Sequence, residues 1–191
     1  MTYKNTPQKQ AESYTTTAIA FHWLMALGLI ANFAFGTYMH ELPLSPRKLQ
    51  LYSWQKWAGV TAFLVVALRL AWRLAHRPPA LPEALPRLAR RAASATHGLL
   101  YLLMFAIPLS GWLMSSAKGF QTVYFGVLPL PDLLAKDAAL GDALLQVHFS
   151  LNMLFAVLVI GHAGAALKHH FIDRDDILAR MLPRRTTEKQ S

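Results

Sequence analysis

Residues 143–167 read ALLQVHFSLNMLFAVLVIGHAGAAL, a run with no Asp, Glu, Lys or Arg. As a helix it is long enough to cross a hydrocarbon core of about 30 Å. Two imidazoles, His148 and His162, sit inside it fourteen residues apart. Fourteen steps of roughly 100° leave them about 40° apart in azimuth and about 21 Å apart along the axis. They share one face, with one ring near each membrane surface. Histidine in hydrocarbon is costly and usually marks a cofactor or an ion path. Two on one stripe predict two stacked sites.

The rest of the chain fits a membrane setting. Of its 191 residues 54% are hydrophobic and only 15% charged, well below the roughly 25% charged residues of soluble domains. With no cysteine, disulfides, thiolate metal sites, iron–sulfur clusters and covalently attached c-type haem are excluded, so metal chemistry must run through histidine. The net charge of +9 does not point to nucleic acid, because the basic residues cluster at the ends of apolar runs, as membrane topology requires. Residues 1–16 are polar, and the apolar run behind them is too long for a signal-peptide core and is expected to be retained.

Four spans follow, at about 17–39, 51–74, 92–117 and 143–167. Lys56, Arg69 and Arg73 of the second span lie near its ends and can snorkel. Pro108 is expected to kink the third. The fold class is therefore all-α, an integral membrane four-helix bundle over residues 17–170 with tails at 1–16 and 171–191. Fourteen of the nineteen Lys and Arg flank the side that holds both tails and the Pro-rich loop His76–Arg91. The positive-inside rule then places both termini in the cytoplasm. Loop Lys118–Asp142, containing FQTVYFGVLPLPDLL, is apolar enough to lie on the outer surface of the bundle or in the interface.

Depth sorts the eight histidines. His22, His97 and His162 each lie five residues inside the cytoplasmic edge of their spans, about 7–8 Å below one surface. His148 lies at a comparable depth on the other side, level with Gln55. His40 sits at the outer rim, and His76, His169 and His170 at the cytoplasmic rim. A lone intramembrane histidine is often a hydrogen-bonded packing residue. Three on one level, with a fourth further along the same helix, point instead to a metal or a haem. A b-type haem in a bundle needs axial nitrogens from facing helices and small residues against the macrocycle. Gly28, Gly36, Gly59, Gly111, Gly161 and Gly164 offer that room, although small residues also serve ordinary helix packing. Arg69, Arg73 and Lys168 stand where propionates would emerge, a position that interfacial anchoring explains as well. The five tryptophans mostly sit near span ends, as an aromatic belt does.

Several stretches carry a family resemblance: AFHWLMA around His22, HGLLYLLMFAIPLSGWLM from His97, the His148–His162 pair, and HAGAALKHHFIDRDDILARMLP from His162. Together they resemble the bacterial cytochrome b561 family, which is similar to the cytochrome b subunits of nickel-iron hydrogenases. The similarity covers about Thr17–Pro183. It implies a multi-pass protein of the bacterial inner membrane, with b haems ligated by pairs of histidines and electrons exchanged with ubiquinol or ubiquinone. It also implies that His22 and His162 hold the cytoplasmic-side haem, a choice that depth alone leaves open against His97. One position departs from the family pattern. Where the second span usually opens with His then Lys ahead of a glycine, this chain has YSWQKWAGV. Gln55 thus occupies the ligand position, and His148 loses its expected imidazole partner. An amide oxygen is a weak, hard donor toward iron. Three outcomes follow for the outer site: no haem, a five-coordinate haem on His148, or ligation by His40.

The expected function is a membrane electron carrier of the quinone pool with at least the inner haem. Superoxide or a periplasmic protein could serve as the other redox partner, and a homodimer in the lipid is compatible. The competing classes are a histidine-based metal permease and a haem-deficient structural or assembly subunit. A permease needs a continuous polar path, and between the two histidine layers the chain offers little beyond Asn32, Thr61, Ser110, Ser150 and Asn152. For topology, a C-terminal reporter that functions only in the cytoplasm should be active. Activity of a periplasm-only reporter at the same position would reverse the assigned orientation.

Overall fold

Three of the four long helices begin at a residue whose side chain accepts from a free amide of the first turn. Thr15 caps Ala18 (3.2 Å), Ser45 caps Lys48 (3.2 Å), and Asp137 caps Leu140 (3.0 Å). Each satisfies a donor that the helix itself leaves unpaired. Pro46 takes the first position of its helix, where the missing N–H costs nothing. The computed structural model describes residues 13–76, 78–80 and 85–182. Residues 1–12 and 183–191 of the tails, Arg77 and part of the Pro-rich loop fall outside the described residues. So do Lys4, Lys9, Arg184, Arg185 and Lys189, which entered the orientation argument.

The helices are α1 (Thr16–Glu41), α2 (Pro46–Ala75), α3 (Arg87–Ala117) and α4 (Ala138–Lys168), all long and apolar enough to cross a membrane. The chain is an all-α membrane four-helix bundle. Every helix outruns the window that hydropathy marks. Composition limits only the part in hydrocarbon, and a capped helix continues into the headgroup layer as long as its amides stay paired. α3 continues through Pro108, although that residue supplies no amide donor.

Packing runs around the bundle from α1 to α2, α2 to α3, and most extensively α3 to α4, whereas the backbones of α1 and α4 are not closely packed. The tight α3–α4 approach is closest at two glycines: a Cβ on Gly141 would stand 2.6 Å from Lys118 Cγ, and one on Gly111 3.1 Å from His148 Cε1. Such contacts replace the hydrophobic drive that lipid does not provide. At mid-depth Met25, Val66 and Met104 form the buried core, with Leu29, Val65, Tyr101, Phe105 and Phe155 against it. All four helices contribute to this apolar layer. The outward face is equally apolar: Ile160 is 73% exposed and Leu27 67% exposed, an arrangement that only a hydrocarbon solvent tolerates.

The α3–α4 connection contains a short hairpin that the sequence reading did not contain. β1 (Val123–Tyr124) pairs antiparallel with β2 (Leu128–Pro129). Phe125 and Gly126 turn the chain at φ 51 and 73, the left-handed region such turns need. The hairpin is tied to α2. Trp57 Nε1 donates to Val123 O (2.7 Å), Lys56 Nζ to Phe120 O (2.8 Å), and Thr61 Oγ1 meets Tyr124 Oη (2.9 Å). Lys56 thus finds a carbonyl at the rim. At the other end Trp23 Nε1 donates to Met181 O (2.7 Å), Trp72 Nε1 to Thr15 Oγ1 (3.2 Å), and Arg180 to Ala80 O (3.1 Å). These bonds join Thr15, Ala80 and the Ala179–Met181 turn at one end of the bundle.

Trp57→Phe keeps the ring and removes the donor, a loss of about 1 kcal/mol. Limited proteolysis at Lys118 and Lys136 in detergent should accelerate several-fold, with helix content by circular dichroism unchanged. An unaltered cleavage rate would show that this bond does not hold the hairpin.

Candidate functional site

At the end of the bundle that carries the termini, α1 brings His22, α3 brings His97 and α4 brings His162 to one level. His162 is the shared neighbour. Its ring centre lies 6.2 Å from that of His22 and 5.3 Å from that of His97, with planes inclined at 65° and 70°. Metal–imidazole bonds of about 2.0–2.1 Å, with the ring radius added on each side, put ring centres roughly 6–6.5 Å apart across a shared metal. The His22–His162 separation falls in that range, and the His97–His162 separation is shorter.

Two features bear on whether a b-type haem fits this level. The first is room. No atom lies within 4 Å of a Cβ built on Gly28, Gly161 or Gly164, so close helix contact does not account for those glycines. The backbones of α1 and α4, which carry His22 and His162, are also not closely packed. The second is the proton on His22. Arg69 reaches across from α2 to place a guanidinium nitrogen 3.1 Å from Nδ1. Arginine only donates, so Nδ1 accepts and the neutral ring carries its proton on Nε2. Ligation through Nε2 would require that proton to move to Nδ1 and Arg69 to turn to another acceptor. The donor set and the room fit a haem, with Arg69 as the group that must yield.

The opposite level differs in both respects. His148 Nδ1 lies 3.1 Å from Ile107 O and 3.0 Å from Ser110 Oγ. A backbone carbonyl only accepts, so Nδ1 carries the proton and Nε2 is left with a free lone pair. That is the tautomer a metal-ligating histidine adopts, held by the kind of carbonyl partner that fixes its orientation. Gln55 shares no hydrogen bond with His148 among the described residues. It packs on Gly36, where a Cβ would stand 3.1 Å from its amide nitrogen, and its Oε1 is buried without a partner. Asn32 Oδ1 is likewise unpartnered. It lines an apolar cleft of ≈ 440 Å³ between α1 and α2, together with Trp54, Trp57 and Phe125.

The remaining histidines serve the rims. His40 is exposed near the end of α1, and its carbonyl accepts from Lys48 Nζ (3.1 Å). His76 stacks on Trp72 at 3.9 Å. His169 Nδ1 contacts Asp175 (2.7 Å) and Asp173 (3.1 Å) in the π-helical turn His169–Asp173 that ends α4. Lys168 pairs with Asp173 instead of facing the histidine level.

Tyr101 is a site residue that composition and spacing do not single out: its ring lies under the guanidinium carbons of both Arg69 (5.4 Å) and Arg73 (5.5 Å). The available signal was its position, one helical turn beyond His97. The carbonyl of Ile107 as the holder of His148 had no sequence signal, because any residue offers a carbonyl.

Residues 13–184 match the family model described as prokaryotic cytochrome b561. The chain is 37% identical over 192 residues to the Escherichia coli (strain K12) protein "Cytochrome b561 homolog 2", covering 98% of each. It is 27% identical to "Cytochrome b561 homolog 1" of the same organism, over 90% of this chain and 98% of that one. It is also 28% identical to "Probable superoxide oxidase CybB" of Yersinia pestis, over 91% and 98%. The chain belongs to the prokaryotic cytochrome b561 family: it is a multi-pass bacterial membrane protein of the b-type cytochromes, with a role in electron transport.

A Cβ at Gly111 would stand 3.1 Å from His148 Cε1. Gly111→Val should therefore displace the ring and lower stability by about 1–3 kcal/mol, read as a reduced thermal midpoint in detergent. An unchanged midpoint would mean that His148 can move away at no cost.

Proposed function

With family membership as the premise, we propose that this chain is a quinone-linked cytochrome of the bacterial inner membrane, holding one b haem between His22 and His162. The observation that carries the reading is the meeting of imidazoles from α1 and α4 at 6.2 Å, between helices whose backbones stand apart. The haem, when bound, supplies one-electron transfer through its iron. The residues supply orientation and exclusion of water. Trp23 closes the edge of His22 at 5.4 Å, and the bond from Trp23 to Met181 fastens the C-terminal turn across the end of the site. His97, 5.3 Å from His162, packs on the ligand and is not itself an axial group in this reading.

We further propose that Gln55 leaves the opposite site without its second imidazole. His148 is poised to bind, but the facing span presents an amide with an unpartnered oxygen. A quinone ring approaches from lipid through the apolar cleft between α1 and α2, whose aromatic lining of Trp54, Trp57 and Phe125 suits a flat ring. Both termini face the cytoplasm in this account. The electron donor in this account is superoxide, oxidised to dioxygen, with a quinone as the final acceptor, a reading supported by the printed name of the Yersinia pestis relative. The apolar layer of Met25, Val66, Met104 and Phe155 lies between the two histidine levels. It argues against a permease, since an ion would have to shed its hydration to cross it, whereas an electron needs no polar path.

His22→Ala and His162→Ala should each abolish the low-spin haem spectrum, and His97→Ala should retain it. Retention in either of the first two, with loss in the third, would reassign the ligands. Gln55→His should raise pyridine-haemochrome from about one haem per chain toward two, by restoring an axial imidazole. No increase, with His148 intact, would contradict the account of the opposite site.

A further inference from the structure

Between the ends of α1, α2 and α3, at the end that carries the termini, lies a half-open cavity of ≈ 300 Å³, lined by Thr15, Arg69, Trp72, Arg73, Tyr101 and Met181 among others. Two guanidiniums share it, both over the Tyr101 ring. Among the described residues neither has a carboxylate within ion-pair distance. Arg69 is half-buried, and its acceptors are a thioether, Met25 Sδ at 3.8 Å, and an imidazole, His22 Nδ1 at 3.1 Å. Neither is an anion. A partly desolvated guanidinium with such partners is under-satisfied, and a second one beside it raises the local positive potential. Ligation of His22 through Nε2 would deepen the deficit by turning Arg69 away from Nδ1.

We infer that this cavity binds the phosphate headgroup of an acidic membrane phospholipid, held by Arg69 and Arg73 with the acyl chains in the surrounding bilayer. Two observations favour a lipid over a haem propionate. The cavity opens where the helices leave the hydrocarbon, beside Trp72 and His76, at the depth of a headgroup. Its basic character and its position between spans match the pockets by which membrane proteins take up acidic headgroups. The inference rests on the chain spanning a bilayer and is independent of which histidines hold iron.

The test is native mass spectrometry of the haem-loaded full chain, titrated with phosphatidylglycerol or with phosphatidylcholine of the same acyl chains. Phosphatidylglycerol adducts should be retained preferentially. Arg73→Gln should weaken that preference roughly fivefold, and Arg69→Gln with Arg73→Gln should remove it. Lys118→Gln with Lys136→Gln, at the other end of the bundle, should leave it intact. Should the double variant fail to fold or to load haem, Arg73→Gln decides alone, since Arg73 makes no hydrogen bond to a histidine among the described residues. Equal retention of the two lipids, or a preference that survives Arg73→Gln, overturns the inference. So does a result in which Arg73→Gln spares the lipid adducts but shifts the haem propionate bands in reduced-minus-oxidised infrared spectra, which would make a propionate the occupant.

Discussion

An imidazole inside hydrocarbon calls for a polar partner or a metal, and the candidate site turns on that demand at His162, which has two other imidazoles beside it. The ring projects from a helix without a charged residue from Ala143 to Leu167, so nothing on α4 itself can satisfy it across the bundle. His22 and His97 converge on it from two other helices. The convergence turns one histidine each of α1, α3 and α4 toward a common point. The backbones of α1 and α4 stand apart, while α3 and α4 pack closely and meet at Gly111 and Gly141. An asymmetric ring of helices, tight on one side and spread on the other, is the outcome.

The two histidine levels are therefore unequal in kind. At the terminal level three imidazoles and an arginine compete for one another, and the proton of His22 sits on the nitrogen that iron would need. At the opposite level a single imidazole is fully prepared by Ile107 and Ser110, yet the facing span offers only Gln55. Preparation and partnership are separated, each level having what the other lacks. Between them lies the apolar layer of Met25, Val66 and Met104.

Much of this was legible in the sequence. Long apolar runs, charged in the second only near its ends, mark the spans, and helical rise alone puts His22, His97 and His162 at one depth. The departure at Gln55 shows as a single letter in YSWQKWAGV. What escaped the sequence depends on side chains meeting across helices. Rise gives depth but not rotation, so it could not say which ring lies nearer His162, nor that Arg69 reaches Nδ1 of His22. Tyr101 reads as one more aromatic in an apolar helix until two guanidiniums are found on its face. The hairpin at Val123–Pro129 was read only as an apolar loop, because its strands are two residues long and its anchors, Trp57 and Thr61, lie on α2. Lys168 was placed among the candidates for propionates, whereas the π-helical turn beyond it supplies Asp173 as its partner.

The central claim is that this cytochrome b561 carries one bis-imidazole haem, at the level of His22 and His162. Quantitative electron paramagnetic resonance of the oxidised protein, with iron measured per chain on the same sample, tests it most directly. The account predicts a single low-spin ferric haem per chain, with any further haem iron high-spin and substoichiometric. Two low-spin centres of equal intensity would contradict it, and would mean that His148 has found a sixth ligand as strong as an imidazole.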